Sequence, residues 1–245
     1  MKEEIKSVTW PKSLKDINKK KRIGAILSAI IALLFMFGLY NMEFTVDVTN
    51  ENSLEMDIDE YFFTENVDAN ILHSEKIGKY LVIFFEREGY LGHYGIANLE
   101  AGIFGKYRFI NANLSDWPLY EYTFNKEKSH LILYGINDLP KVATYAVYPS
   151  DDTSKEPIFV GQGEDTPFLR VIKLENPENY VGVQFVHYYD DNGTEIDFKE
   201  LWNQAPEPDE GSTPSVGSAE LGMVYVFVGI VLVLGIVFVR YFLTS

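Results

Sequence analysis

Histidine is the first place to look for chemistry, because imidazole both titrates near neutrality and ligates metals. His73, His93, His130 and His187 are the four in this chain of 245 residues. No two of them stand at i,i+2 or i,i+4, and there is no cysteine, so no zinc spacing exists. There is no G-x-S-x-G elbow, no phosphate loop and no H-E-x-x-H helix. Carboxylates cluster in "EMDIDE" (Glu55–Glu60) and at Asp190 and Asp191. A calcium loop needs D-x-[DN]-x-[DN]-G and a later Glu. Set against that pattern, "HYYDDNGTE" places Tyr188 at the first ligand position. These acids read instead as a helix cap, at Asp57 or Asp59, and a hairpin turn. The expectation is a protein with no catalytic residues, no metal and no cofactor.

The stronger patterns are apolar. "KKKRIGAILSAIIALLFMFGLY" runs from a basic cluster into 18 uncharged residues, Ile23 to Tyr40. As a helix that is about 27 Å, close to the thickness of a bilayer core. It is longer than a secretory signal core, and the bulky residues that follow suit no small-x-small cleavage site. "LGMVYVFVGIVLVLGIVFV", Leu221 to Val239, supplies a second uncharged run, ending at Arg240. Both read as transmembrane helices. Residues 1–22 carry eight basic and three acidic residues, whereas residues 41–220 carry 12 basic and 33 acidic, a net charge of −21. Basic residues stay in the cytoplasm. Both ends of the chain are therefore expected inside, with residues 41–220 outside. The lipid bilayer is the first partner. Nucleic acid is excluded by the acidity of the head, and the lack of cysteine fits a bacterial plasma membrane of the Gram-positive kind.

Within the spans, Gly24, Ser28 and Ala32 recur every four residues, with Ala25 and Ala29 beside them, and Gly222 and Gly229 are seven apart. Small residues on one face let helices approach closely. The partner of that face is the second span, a second copy (a homo-oligomer) or another membrane protein. Replacing Ser28 with Ile is expected to weaken the association. Neither run holds an acidic or basic residue, which argues against an ion or proton path.

Between the spans the turn signals outline a β-rich head. "LEMDIDEYFFTENVD" (Leu54–Asp68) predicts a short helix. Strands follow in "NILHSEKI", "KYLVIFFERE", "GHYGIANLE", "GKYRFINANLS" and "LYEYTF", giving an α+β meander over 41–124. "HLILYGI", "KVATYAVYP", "EPIFVGQG", "PFLRVIKLE", "YVGVQFVHYY" and "TEIDFK" predict an antiparallel β-sandwich, loosely Ig-like, over 125–202. Asn192-Gly193 suits a type I′ turn in its last hairpin. Residues 203–220, rich in Pro, Gly and Ser, predict a flexible stalk to the span at 221–239, with 240–245 as a cytoplasmic tail. Trp117, Tyr120 and Tyr122 surround Pro118. They are expected to cap the meander core; exposed, they would form a partner surface.

"EIKSVTWPKSLKD", Glu4 to Asp16, resembles the cytoplasmic segment of the small essential subunit of the bacterial protein translocase, in which V-x-W-P precedes a span. The resemblance covers about a dozen of the 245 residues and ends at Tyr40, since that family has no external domain of this size. Here Trp10 reads as an interfacial anchor and the lysines as contacts to anionic lipid. The function expected is a non-catalytic accessory or regulatory component of a bacterial envelope complex. The alternatives are a ligand-binding sensor that signals through a partner and an envelope hydrolase.

Overall fold

A computed structural model of the chain describes residues 19–63, 67–116, 121–124, 129–137, 142–148, 153–163, 167–175, 186–197, 199, 203, 207–217 and 221–244. The basic segment with Trp10 therefore lies outside the described residues, as do Trp117 and Tyr120. Three helices are described, α1 (Lys19–Glu43), α2 (Glu51–Tyr61) and α3 (Leu221–Thr244). The strands are β1 (Ala69–Ile77), β2 (Tyr80–Arg87), β3 (His93–Ala101), β4 (Tyr107–Asp116), β5 (Glu121–Phe124), β6 (His130–Gly135), β7 (Thr144–Val147), β8 (Phe159–Gln162), β9 (Phe168–Lys173), β10 (Val186–Tyr189), β11 (Glu195–Ile196) and β12 (Ser215–Gly217). The chain divides into two compact units, Met1–Thr45 with Ala219–Ser245, and Val46–Ser218.

The first unit is a pair of apolar helices. Both are long and apolar enough to cross a membrane. Each runs a few residues past the predicted uncharged core. Lysine and arginine are good helix formers, so Lys19–Arg22 continue the helix beyond its apolar part. Ala32 lies beside Gly235 and Gly24 beside Phe242, so the helices run antiparallel. Their outer faces leave Leu33, Leu34, Phe35, Val226 and Phe227 more than half exposed.

The second unit is β-rich and antiparallel throughout its described pairings. Helix α2 starts earlier than predicted. Its cap is Asn50, whose Oδ1 accepts from the Ser53 N–H at 3.4 Å, not Asp57 or Asp59. The earlier start sets Leu54 and Ile58 on one buried face. It also frees Asp59 to accept the Ala69 N–H at 2.9 Å, pinning the entry to β1. The first sheet has the order β1-β2-β3-β4-β12, the second β5-β6-β9, and the third β11-β10-β7-β8. One hydrophobic cluster joins α2 to Leu81, Ile83 and Phe85 on one face of β2. A second joins Tyr80, Val82 and Phe84 on its other face to Ile132 and Tyr134 of β6. A third joins Leu131 and Leu133 of β6 to Tyr145, Val147, Val186 and Tyr188. Alternate residues of β2 and of β6 thus feed different cores. The layers run α2, first sheet, second sheet, third sheet.

Three local expectations differ from the structure. Strand β5 does not extend the meander. It pairs with β6, Tyr122 opposite Leu133, so the predicted boundary at 124/125 cuts a hairpin. The predicted stalk does not hang free over its described part. Val216 pairs with Ala112, and the Leu114 N–H donates to the Pro214 carbonyl at 3.0 Å, because β4 is otherwise an open edge with unpaired groups. The β10–β11 turn is not type I′. Only Gly193 takes positive φ, +75°, and the Asp190 carboxylate instead accepts the N–H groups of Asn192 and Thr194, each at 2.8 Å. That is a three-residue loop with an Asp-capped turn and a left-handed glycine.

Candidate functional site

Two places gather the residues with functional potential. The first is the seam between α1 and α3. A Cβ on Gly24 would stand 2.7 Å from the Phe242 ring, and one on Gly235 would stand 2.7 Å from the Ala32 Cβ. Backbones come this close only where a side chain is missing. Ala25 is buried, and Ser28 is half-buried between the two contacts. Ala29, Ala32, Leu33 and Met36 face Leu232, Gly235, Ile236 and Val239 across an apolar cavity of about 280 Å³. Gly229 has nothing within 4 Å of its missing side chain, so it takes no part in this seam. Gly222 lies in the first turn of α3. The sequence reading misses Gly235, although its contact with Ala32 is one of the two closest. The positions four residues to either side of it, Val231 and Val239, are not small, so no spacing marks it out from any other glycine in a span. Tyr122 is placed in β5, but its side chain lies outside the described residues.

The second place is a polar cluster at one end of the first sheet. Arg87 ends β2, His93 starts β3 and Asp116 ends β4. The returning segment comes back across them. Leu91 N–H donates to Asp209 Oδ2 at 2.8 Å, and Asp209 N–H donates to the Leu91 carbonyl at 2.9 Å. His93 is 1% exposed, and its Nε2 lies 2.6 Å from the Asp209 carbonyl. A carbonyl only accepts, so Nε2 carries the proton. Nδ1 faces Asp116 Oδ1 at 3.6 Å. The Arg87 guanidinium lies over the Tyr90 ring at 4.0 Å and donates to the Ser212 carbonyl at 3.3 Å. Asp209, the His93 ring and Arg87 join the 209–212 strap to this end of the first sheet. The His93 ring is enclosed there.

Other titratable groups among the described residues make local contacts. Glu100 and Arg108 are buried and bonded to each other at 3.1 Å, and Lys79 reaches the second Glu100 oxygen at 2.8 Å. That bond holds the Lys79 ammonium above its ordinary range. Asp47 is held well below the usual carboxylate range, chiefly by its hydrogen bond from Lys106 and then by those from Thr49. Burial raises Asp57 and Asp59. His187 Nδ1 meets Glu195 at 2.6 Å, and His73 Nε2 meets the Pro167 carbonyl at 3.0 Å. Among the described residues, no three His, Asp or Glu side chains converge as a metal site would require. No protein-family model, characterised protein or solved structure shows a significant match to the chain.

Proposed function

We propose that the chain is a membrane-anchored, non-catalytic interaction protein, an accessory or regulatory component of an envelope membrane complex. The observation that carries the reading is the helix pair. Two helices with uncharged cores of bilayer length pack on each other through Gly24, Ala32 and Gly235, and a folded β-rich head lies between them in sequence. The basic segment 1–22 stays in the cytoplasm and the acidic head stands outside. The second and third sheets form the sandwich, Ig-like in the loose sense, that meets a partner. In the head, the groups best suited to chemistry, His93, Arg108 and Glu100, are enclosed and engaged with each other or with backbone. With the seam between α1 and α3 closed, Gly229, like Gly38, faces open space, and the Gly229 face receives the span of a partner.

The test is crosslinking of the tagged protein in cells, followed by mass spectrometry. One stoichiometric membrane partner, lost on Gly229→Ile, is the expected result. Recovery of the chain with no crosslinked membrane protein would overturn the accessory-subunit reading.

A further inference from the structure

His93 stands between two acceptors. Its Nε2 lies 2.6 Å from the Asp209 carbonyl of the strap, and its Nδ1 lies 3.6 Å from Asp116 Oδ1 at the end of β4. A carbonyl and an ionised carboxylate only accept, and a neutral imidazole has a single N–H, so it donates to one side only. With that proton on Nε2, the Nδ1 lone pair faces the carboxylate. Nδ1 and Oδ1 are then two buried atoms with no hydrogen-bond partner among the described residues. Leaving such atoms unsatisfied is costly. One added proton on Nδ1 answers both at once and makes the contact charge-assisted.

The other groups around the ring leave Asp116 as the anion that answers this proton. Arg87 comes from the end of β2, Tyr90 from the β2–β3 loop and Asp209 from the strap. A Cβ on Gly211 would stand 2.9 Å from His93 Cε1 and 3.4 Å from Arg87 Nη1, so the strap lies over both side chains. The Arg87 guanidinium opposes a second cation here, but its bond to the Ser212 carbonyl holds the same strap. Tyr90 presents its ring, 5.7 Å from that of His93. The Asp209 carboxylate is turned to the Leu91 N–H. Apolar anchoring of the strap is slight. None of the described residues in 207–217 is buried, and Val216 packs only partly against the first core.

We propose that His93 is a proton-operated latch for the strap. The imidazolium, bonded to the Asp209 carbonyl and paired with Asp116, holds residues 209–217 on the edge of β4. Loss of the Nδ1 proton loosens them and opens that edge at residues 112–114. The docked strap favours the protonated ring, so its hold is fullest at acid pH and weakens as pH rises. All of these groups lie within the β-rich unit, so the latch is independent of the membrane reading.

The test is amide exchange on the full-length protein in detergent micelles, at about pH 5.5 and about pH 8, with rates corrected for the intrinsic effect of pH. The reporters are the Asp209 N–H, bonded to the Leu91 carbonyl, and the Leu114 N–H, bonded to the Pro214 carbonyl. The control is the Ile158 N–H, bonded to the Val147 carbonyl in the third sheet. Protection of both reporters several-fold higher at the acid pH, with the control unchanged, is the expected result. Asp116→Asn offers Nδ1 an amide donor without any added proton, so it should keep protection high and flatten its pH dependence. Nitrogen-15 shifts of the wild-type imidazole should show His93 gaining its second proton over the same range. Equal protection at both pH values, a rise shared by Ile158, or a His93 ring that stays neutral throughout would overturn the latch. So would a pH dependence that survives Asp116→Asn unchanged, since another group would then be titrating.

Discussion

At the scale of the residue, His93 is held in the seam between the strap and the first sheet. Its ring is enclosed and its Nε2–H is committed to the Asp209 carbonyl. His93→Leu keeps the apolar volume and removes the donor. It should cost about 1–3 kcal/mol, the range for leaving a buried polar group unsatisfied. Amide exchange at Leu91, Leu114 and Asp209 should speed up together, because their hydrogen bonds join the strap to the sheet; unchanged exchange at those amides would refute the clamp. Asp190 makes a pH prediction. Its carboxylate is held below the ordinary value of 3.8, first by the Thr194 N–H and then by Asn192. A depressed carboxylate contributes stability above its unfolded value and loses that contribution as pH falls through the folded one. The gap in denaturation midpoint between the wild type and Asp190→Ala should thus be widest at neutral pH. It should narrow below about pH 4. A gap that widens on acidification would contradict the assignment.

At the scale of the element, close approach and buried charge make opposite demands. In the helix pair the contact depends on what is absent. Gly235→Leu should push α1 and α3 apart, while Gly229→Ala, facing open space, should leave them together. A disulfide between Gly24→Cys and Phe242→Cys can report the packing. Oxidation should form it readily alone and with Gly229→Ala, and only weakly with Gly235→Leu. In the first sheet the contact depends on a pair being complete. Arg108→Met would leave Glu100 buried without its buried counter-charge, with Lys79 half exposed. Removing one member of a buried pair costs about 3 kcal/mol or more. Urea denaturation followed by near-ultraviolet dichroism should show that loss, and a smaller one for Glu100→Gln. The elements themselves were largely legible. "YLVIFFER" and "HLILYG" are continuous apolar runs, as a strand covered on both faces requires. Their two-sided burial explains why three sheets and a helix form one compact unit.

At the scale of the whole molecule, the distribution of charge predicts the topology. With the first 22 residues basic and the head acidic, Ile158→Cys should react in intact cells with an impermeant maleimide, and Ser7→Cys only after permeabilisation. The opposite pattern would invert the molecule and remove the envelope reading. The strap at 209–212 belongs to the same scale, since it joins segments far apart in sequence.

Taken alone, the sequence determined whatever depends on local pattern. Uncharged runs gave α1 and α3, and apolar stretches bounded by glycine and proline gave the strands, because helix and strand periodicities and turn chemistry are short-range. It also exposed the absence of any metal or nucleophile spacing. Tertiary structure alone decided pairing and capping. β5 joins β6 because those two edges match, and β12 covers β4 because an open edge must bond to something. The cap moved to Asn50 because burying Leu54 and Ile58 together outweighs a cap on the acidic cluster. The approach of Gly235 to Ala32 and the enclosure of His93 arise from packing between segments more than 100 residues apart, and no local pattern encodes a contact between partners that far separated.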